Sequence, residues 1–194
     1  MLRLKLATDP RWADIAESNL EEILTDHAYC EQKAASSAIS IIIQYPEYSE
    51  LVGKMSEIAI EEMDHFCRVH QIIIQRGYTL GRDRKDDYVA KLFLFFKSSH
   101  DRRINLINKL LLSAMIEARS CERFRLLSKK LKDQELSDFY HELEQSEASH
   151  YTLFLNFAKH YGEGFIDVEQ RWEEFLKYEA EIIAGLGNTE KIHG

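Results

Sequence analysis

The chain has 194 residues, of which 45% are hydrophobic and 30% are charged, and its formal net charge is −8. This length fits one domain with a sizeable core, and the sequence lacks the run of about 18 apolar residues that a membrane-spanning helix needs. Its three cysteines lie far apart without a Cys-x-x-Cys spacing, which excludes a disulfide framework, a zinc ribbon and a rubredoxin-type iron site. We therefore expect a reduced, cytoplasmic protein.

Two long amphipathic helices are predicted in the first half of the chain. The first begins after Asp9 and Pro10, which suit an N-cap and a first helical turn, and it ends near Tyr45 because Pro46 follows. The second runs from about residue 46 to 76 and stops at Gly77. A polar loop and a short helix over 88–97 then form a crossover of about 23 residues.

Three further helices are predicted over about 101–130, 133–160 and 167–185, and the tail over about 185–194 is expected to be loosely packed. Helices of about 28 residues are about 42 Å long. Four such helices with one long crossover indicate an all-α fold, a ferritin-like four-helix bundle with an additional C-terminal helix. We expect residues 1–194 to form this single domain.

Polar side chains interrupt the apolar stripe of each of the four long helices. A lone buried carboxylate is costly unless it is paired or binds a metal, and four of them in one bundle would repel one another. A pair of divalent cations would remove both costs. The interrupting residues are one glutamate per helix and two histidines: Glu31, Glu62, His65, Glu117, Glu147 and His150.

The spacing of these six residues repeats along the chain. Glu31 precedes Glu62 by 31 residues and Glu117 precedes Glu147 by 30, and each second glutamate begins a Glu-x-x-His motif. Four glutamates and two histidines are the ligand set of carboxylate-bridged di-iron or di-manganese bundles, and the lack of thiolates favours iron or manganese over structural zinc. A third motif, Glu190-x-x-His193, is interpreted as chance.

Two further residues, His27 and Cys121, lie one helical turn from a predicted ligand. His27 lies one turn before Glu31 and is interpreted as an ordinary core histidine, with a hydrogen bond to the ligand as the alternative. Cys121 lies one turn after Glu117 and is expected to line the pocket.

The charge is distributed unevenly. Residues 68–132 hold sixteen Lys and Arg but only six Asp and Glu, which fits either a basic face for a polyanion or two solvated faces. Two groups of these cations are candidates for contacts with the phosphates of such a polyanion. The first consists of Arg82, Arg84, Lys85, Lys97, Arg102 and Arg103. The second consists of Arg119, Arg123, Arg125, Lys129, Lys130 and Lys132.

At the predicted ligands the chain resembles a known family, the bacterial tRNA hydroxylases that act on 2-methylthio-N6-isopentenyladenosine. The resemblance extends over nearly the whole chain. The segments that carry it are DHAYCEQKAAS (26–36), EEMDHF (61–66), EARSCERF (117–124) and SEASHY (146–151).

This resemblance implies a nonhaem di-iron monooxygenase that hydroxylates the isopentenyl group of the modified adenosine beside the tRNA anticodon. It implies O2 as co-substrate, an external reductase as electron donor, and two iron ions held by the six residues above, with no catalytic residue beyond the metal centre. Glu62 and Glu147 are the usual candidates for bridging in related bundles. Because all six ligands lie in one chain, we expect a monomer. The resemblance implies tRNA and a redox protein as partners, with the two basic groups as candidate contacts for the RNA phosphates. We expect no binding to a membrane.

Three alternatives remain open on the same scaffold. A rubrerythrin-like peroxidase or ferroxidase would turn over peroxide or Fe(II) without tRNA, although the rubredoxin cysteines are missing. A manganese catalase would use the same ligand set. A metal-free binding module would bind no ion at all.

Overall fold

The computed structural model describes residues 2–186 and 191–192, and within these ranges the protein contains seven helices and no strand. Their bounds are α1 (Trp12–Ser18), α2 (Leu20–Gln44), α3 (Ser49–Gln75), α4 (Asp87–Phe93), α5 (Arg102–Lys130), α6 (Gln134–Gly162) and α7 (Val168–Leu186). The predicted long helices are present, but the first is broken into α1 and α2. Asn19 lies at the break with non-helical angles (φ −133°, ψ 45°), a position that asparagine tolerates better than most residues.

One compact unit comprises Ser18–Lys85 together with residues 191–192 in the described part of the tail. In this unit α2 and α3 pack as a hairpin, and their facing side chains, such as Leu24, Ile41 and Met55, are fully buried. The helix α3 ends where Gly77 adopts a positive φ of 73°, which lets the N–H of Tyr78 reach the carbonyl of Ile73. The glycine predicted to stop this helix therefore does so through a Schellman motif.

The tail differs from the expectation of loose packing at the two residues that the structure describes beyond Leu186. Ile192 is fully buried, and its N–H donates to Asp26 Oδ2 at 2.7 Å. Lys191 Nζ donates to the carbonyl oxygen of Lys85 at 2.8 Å. An apolar side chain and two hydrogen bonds thus hold these residues, whereas residues 187–190 and 193–194 lie outside the described part of the chain.

The second unit contains α1 and α4 to α7, and its central feature is the hairpin of α5 and α6. Four of its helices begin in the same way, because an aspartate at the N-cap accepts a hydrogen bond from a backbone N–H of the first turn. These caps are Asp86, Asp101, Asp133 and Asp167. Short polar caps of this kind mark the residue at which each of these helices starts.

A buried ionic network joins α5 to α4, to α7 and to the segment before α1. Arg119 and Glu179 are fully buried, and Arg119 Nη2 donates to Glu179 Oε1 at 2.6 Å. The same carboxylate oxygen accepts from Tyr88 at 3.1 Å, while Arg119 also donates to Thr8 Oγ1 at 3.2 Å and to the carbonyl oxygen of Leu6 at 3.1 Å. One arginine therefore connects α5 with α4, α7 and the N-terminal segment.

A search of the described residues for a helix both long enough and apolar enough to cross a membrane finds none.

Candidate metal centre

The first group of predicted ligands lies on the α2–α3 hairpin. Glu31, Glu62 and His65 are all buried, near the middle of their helices and within the apolar faces that the hairpin encloses. His65 Nδ1 lies 3.5 Å from Glu62 Oε2 and 3.8 Å from Glu31 Oε2, and one ligand atom of each of the three lies within 4.8 Å of the others. We call these three residues the first triad.

His27 contacts this triad, contrary to its interpretation as an ordinary core histidine. It is fully buried, and its Nε2 lies 2.5 Å from Glu31 Oε1. The spacing of four residues on one helix, which the sequence displayed, is what brings the ring to the carboxylate. A histidine in this position fixes the orientation of Glu31 and satisfies one of its oxygens, as the outer partners of metal ligands commonly do.

The protonation of the first triad reflects crowding of like charges away from water. Burial, together with the charge of Glu62, raises the pKa of Glu31. Burial disfavours the charged form of His65, but the nearby carboxylates of Glu31 and Glu62 outweigh this and raise the pKa of the imidazole. The hairpin therefore compensates its buried carboxylates with protons, which a divalent cation would displace on binding.

The second group of predicted ligands lies on the α5–α6 hairpin. Glu117, Glu147 and His150 are buried, and one ligand atom of each lies within 4.8 Å of the others. They again lie near the middle of their helices, and fully or nearly fully buried apolar residues precede and follow them in the stripe, such as Ala114 on α5 and Leu143 on α6. We call these three residues the second triad.

Cys121, one turn beyond Glu117, has a partner of its own within the hairpin. Its thiol donates to the carbonyl oxygen of Glu144 at 3.3 Å, and burial raises its pKa to about 11. The protonated thiol thus links α5 to α6. The expectation that it lines a pocket stays a prediction.

The donor sets of the two triads fit iron or manganese. Each triad offers two carboxylates and one imidazole from a buried position, with no thiolate in the set. Each also follows the same order along the chain, a glutamate on the first helix and a Glu-x-x-His motif on the second. That the six residues hold one dinuclear centre stays a prediction.

The first predicted RNA-contact group divides into exposed and structurally engaged residues. Arg82, Lys85, Lys97 and Arg102 are exposed. Arg84 is half-buried and pairs with Glu22 at 2.9 Å. Arg103 is also half-buried, donates to the carbonyl oxygen of Tyr161 at 2.5 Å, and lies over the ring of Phe165, so its guanidinium closes the end of α6.

The second predicted RNA-contact group is wrong for two of its members. Arg119 is fully buried in the network with Glu179, and Arg123 is buried with its guanidinium 4.5 Å from the centroid of the Trp12 ring. Arginine is mostly exposed in folded proteins, and nothing in the local sequence indicates that these two are buried. Arg125 and Lys132 are exposed but pair with Glu144 and Glu17 respectively.

The comparisons with known proteins agree with one another. The sequence profile of the family described as tRNA-(MS2IO6A)-hydroxylase (MiaE) matches residues 2–194. A tRNA 2-(methylsulfanyl)-N(6)-isopentenyladenosine(37) hydroxylase from Pseudomonas putida is 38% identical over 96% of this chain and 89% of its own length. A protein of the same name from Salmonella typhimurium is 28% identical over 90% of this chain and 80% of its own length.

Among solved structures, the chain is similar to a protein from Synechococcus described as having aldehyde deformylating oxygenase activity. The TM-score is 0.88 and the identity 29%, with 98% of this chain and 95% of that chain covered. The all-α, ferritin-like fold class predicted from the sequence is thereby confirmed.

Proposed function

Because the chain belongs to the family of tRNA-(MS2IO6A)-hydroxylases, we propose that it catalyses the hydroxylation of the isopentenyl group of 2-(methylsulfanyl)-N6-isopentenyladenosine in tRNA. It is an oxidoreductase, and its substrate is a tRNA carrying the modified base beside the anticodon. Family membership over the whole length of the chain supports the activity, and the two buried triads are the structural observation that carries it.

The metal centre that this reaction requires would be built from both triads. Glu31, Glu62 and His65 would hold one iron ion, and the second triad would hold the other. The internal repeat supports this assignment, since the two halves offer the same donors in the same order. The buried, thiolate-free donor set supports iron or manganese as the metal.

Bound iron would supply the redox chemistry by which O2 is reduced and a C–H bond of the isopentenyl group is hydroxylated. The protein side chains would bind the metal, orient the ligands and keep water away. His27 holds Glu31 in place through its hydrogen bond at 2.5 Å. Buried apolar neighbours exclude water, among them Ala35 on α2 and Phe154 on α6, so that a strong oxidant is not quenched before it meets the substrate.

The electrons would come from a separate protein. The sequence contains no Gly-x-Gly-x-x-Gly fingerprint for a flavin or nicotinamide cofactor, so an external reductase is part of the proposal. A monomer suffices for the reaction because one chain supplies both triads. A cytoplasmic location follows from the tRNA substrate.

The metal assignment is tested by the iron content and optical spectrum of protein purified after growth in iron-supplemented medium. We expect about two irons per chain in the wild type, and loss of iron in Glu62→Ala and in His150→Ala. The double variant Glu190→Ala/His193→Ala is the matched control, because it removes the third Glu-x-x-His motif, which lies outside the described residues. Wild-type protein without iron after anaerobic reconstitution with Fe(II) would contradict the assignment.

The activity is tested by incubating the iron-loaded protein with tRNA from cells that lack this hydroxylation, a chemical or enzymatic reductant, and O2. Mass spectrometry of the digested nucleosides should show the isopentenyl nucleoside replaced by its hydroxylated form. Consumption of peroxide with no change in the nucleosides would instead support the rubrerythrin-like or manganese catalase alternative. Unchanged nucleosides without any metal-dependent reaction would support the metal-free module.

A further inference from the structure

The end of α4 presents large apolar side chains to solvent. Phe93 is 57% exposed and Leu94 is 75% exposed. The helical winding continues past Phe93, because the N–H of Leu94 donates to Lys91 and the N–H of Phe96 donates to Phe93. Lys97 follows directly in a non-helical segment and is exposed, as Lys91 is, so a lysine lies on either side of these apolar residues in the chain. We call Lys91, Phe93, Leu94 and Lys97 the α4 face.

Packing of the segment does not require these exposed side chains. The next two residues, Phe95 and Phe96, turn inward, with ring centroids 4.8 and 4.7 Å from that of Phe175 on α7. Tyr178 adds a ring contact with Phe95 at 5.3 Å and donates its hydroxyl to the carbonyl oxygen of Lys91 at 3.2 Å. Phe95 and Phe96 thus hold the segment against α7, whereas Phe93 and Leu94 are exposed to solvent.

The charge around the α4 face differs from that around Ile60, an exposed apolar residue of α3. Residues 86–103 contain four Lys and Arg and three acids, Asp86, Asp87 and Asp101, of which Asp86 and Asp101 cap helices, and no acid lies between Tyr88 and His100. By contrast Ile60 on α3, which is 73% exposed, lies among the acids Glu57, Glu61 and Asp64. An exposed aromatic ring flanked by lysines suits an unpaired nucleotide, whose base stacks on the ring while its phosphates meet the cations. The acidic surroundings of Ile60 would repel the same ligand.

We propose that the α4 face is the surface on which the anticodon loop of the tRNA substrate docks, with Phe93 stacking on an unpaired base and Lys91 and Lys97 facing phosphates. This inference rests on the proposed function, because it names the part of the protein that receives the RNA. It adds an aromatic contact to the first predicted RNA-contact group, to which Lys97 belongs. Arg103 of the same group instead donates a hydrogen bond to the end of α6.

The test is the affinity for a fluorescently labelled anticodon stem-loop RNA of about 17 nucleotides, measured by anisotropy with iron-loaded protein. Phe93→Ala should weaken binding about fivefold to fiftyfold, since a stacked base is lost. Phe93→Trp should restore binding, whereas Phe93→Leu, which keeps an apolar side chain without a π face, should not. Lys97→Ala should lower the slope of log K against log salt by about one.

Two control variants match these changes in chemistry. Ile60→Ala removes an exposed apolar side chain from acidic surroundings, and Lys159→Ala removes an exposed lysine of α6 that belongs to neither predicted RNA-contact group. Both should bind the RNA as the wild type does. Iron content and thermal midpoint of every variant should match the wild type, because the exchanged side chains lie on the surface.

The outcomes separate this inference from the proposed function. If the wild type hydroxylates tRNA and binds the stem-loop, but Phe93→Ala and Lys97→Ala bind it equally well, the α4 face is not the RNA surface. If those variants bind RNA normally but accept electrons from the reductase more slowly, the face belongs to the redox partner and the inference is overturned. If the wild type neither binds nor hydroxylates tRNA, the proposed function itself fails.

Discussion

At the scale of single residues, Arg119 makes several buried contacts that no sequence motif predicts. Its guanidinium is fully buried and reaches Glu179, Glu122, Thr8 and the carbonyl oxygen of Leu6. Removing one partner of a buried ion pair leaves an uncompensated charge, which costs more than the pair itself contributes. The opposite charge in this network, Glu179, already has its pKa raised by burial, although Arg119 opposes that shift.

Arg119→Leu should therefore lower the free energy of unfolding of the metal-free protein by about 3–5 kcal/mol near neutral pH. The loss should be smaller at about pH 5 than at about pH 8. Without Arg119 the folded-state pKa of Glu179 rises further above its unfolded value, so the stability that this group contributes is present below the unfolded pKa and lost as the pH rises. Urea denaturation at both pH values measures the difference.

The double variant Arg119→Leu/Glu179→Leu is the control for this effect, because it removes the carboxylate as well and should abolish the extra dependence on pH. Equal losses of stability at both pH values in Arg119→Leu alone would contradict the account.

His27 allows a second prediction at this scale, now concerning the metal. Because its imidazole orients Glu31, His27→Ala should weaken Fe(II) binding about tenfold to a hundredfold, and His27→Gln, which retains a hydrogen-bonding group, should recover part of that loss. Anaerobic competition with a chromophoric chelator measures the affinity. His141→Ala, which removes an exposed histidine from α6, should bind as the wild type does. An unchanged affinity in His27→Ala would mean that the histidine only fills space.

At the scale of elements, the junction of α6 and α7 depends on a close approach. A Cβ added at Gly162 would lie 2.2 Å from Val168 Cγ2, so the first turn of α7 packs directly on the last residue of α6. Gly53, within α3, has no atom within 4 Å of the corresponding position. The same substitution at the two glycines should therefore have opposite effects.

Gly162→Ala should lower the free energy of unfolding by about 1–3 kcal/mol, because the added methyl group overpacks the junction. Gly53→Ala should raise it by about 0.5–1 kcal/mol, because alanine loses less conformational entropy in a helix and meets no neighbour. Chemical denaturation of the two variants and the wild type under one set of conditions provides the comparison. A gain in stability for Gly162→Ala would show that Val168 moves aside at no cost.

The elements that could be predicted from the sequence are those with local signals. Long apolar stripes of helical period, the stop at Gly77 and the proline at residue 46 predict the ends of the four long helices to within about three residues, except for the start of the first. The interruption of these stripes by Glu31, Glu62 and their counterparts pointed to the buried triads. The break at Asn19 was missed because asparagine inside a polar stretch gives no clear signal against the continuation of a helix.

At the scale of the whole molecule, the features that could not be predicted depend on contacts between distant parts of the chain. Arg119 meets Glu179 across 60 residues and Thr8 across 111, and no periodicity encodes such a pairing. Ile192 is likewise fully buried, and its N–H donates to Asp26 across 166 residues. Charge counts along the sequence therefore overstate the cations that are accessible, which bears directly on RNA binding.

The salt dependence of tRNA binding should reflect accessible rather than total charge. Residues 68–132 contain sixteen Lys and Arg, and phosphate contacts by all of them would give a slope of log K against log salt of roughly −11 to −14. Burial of Arg119 and Arg123, and ion pairs at Arg84, Arg125 and Lys132, remove five of these cations. Since the others do not all face one ligand, we expect a slope of about −3 to −5 in filter-binding titrations with intact tRNA. A slope steeper than about −10 would exceed what the eleven other cations of this segment could give, and would require the paired arginines to leave their carboxylates on binding.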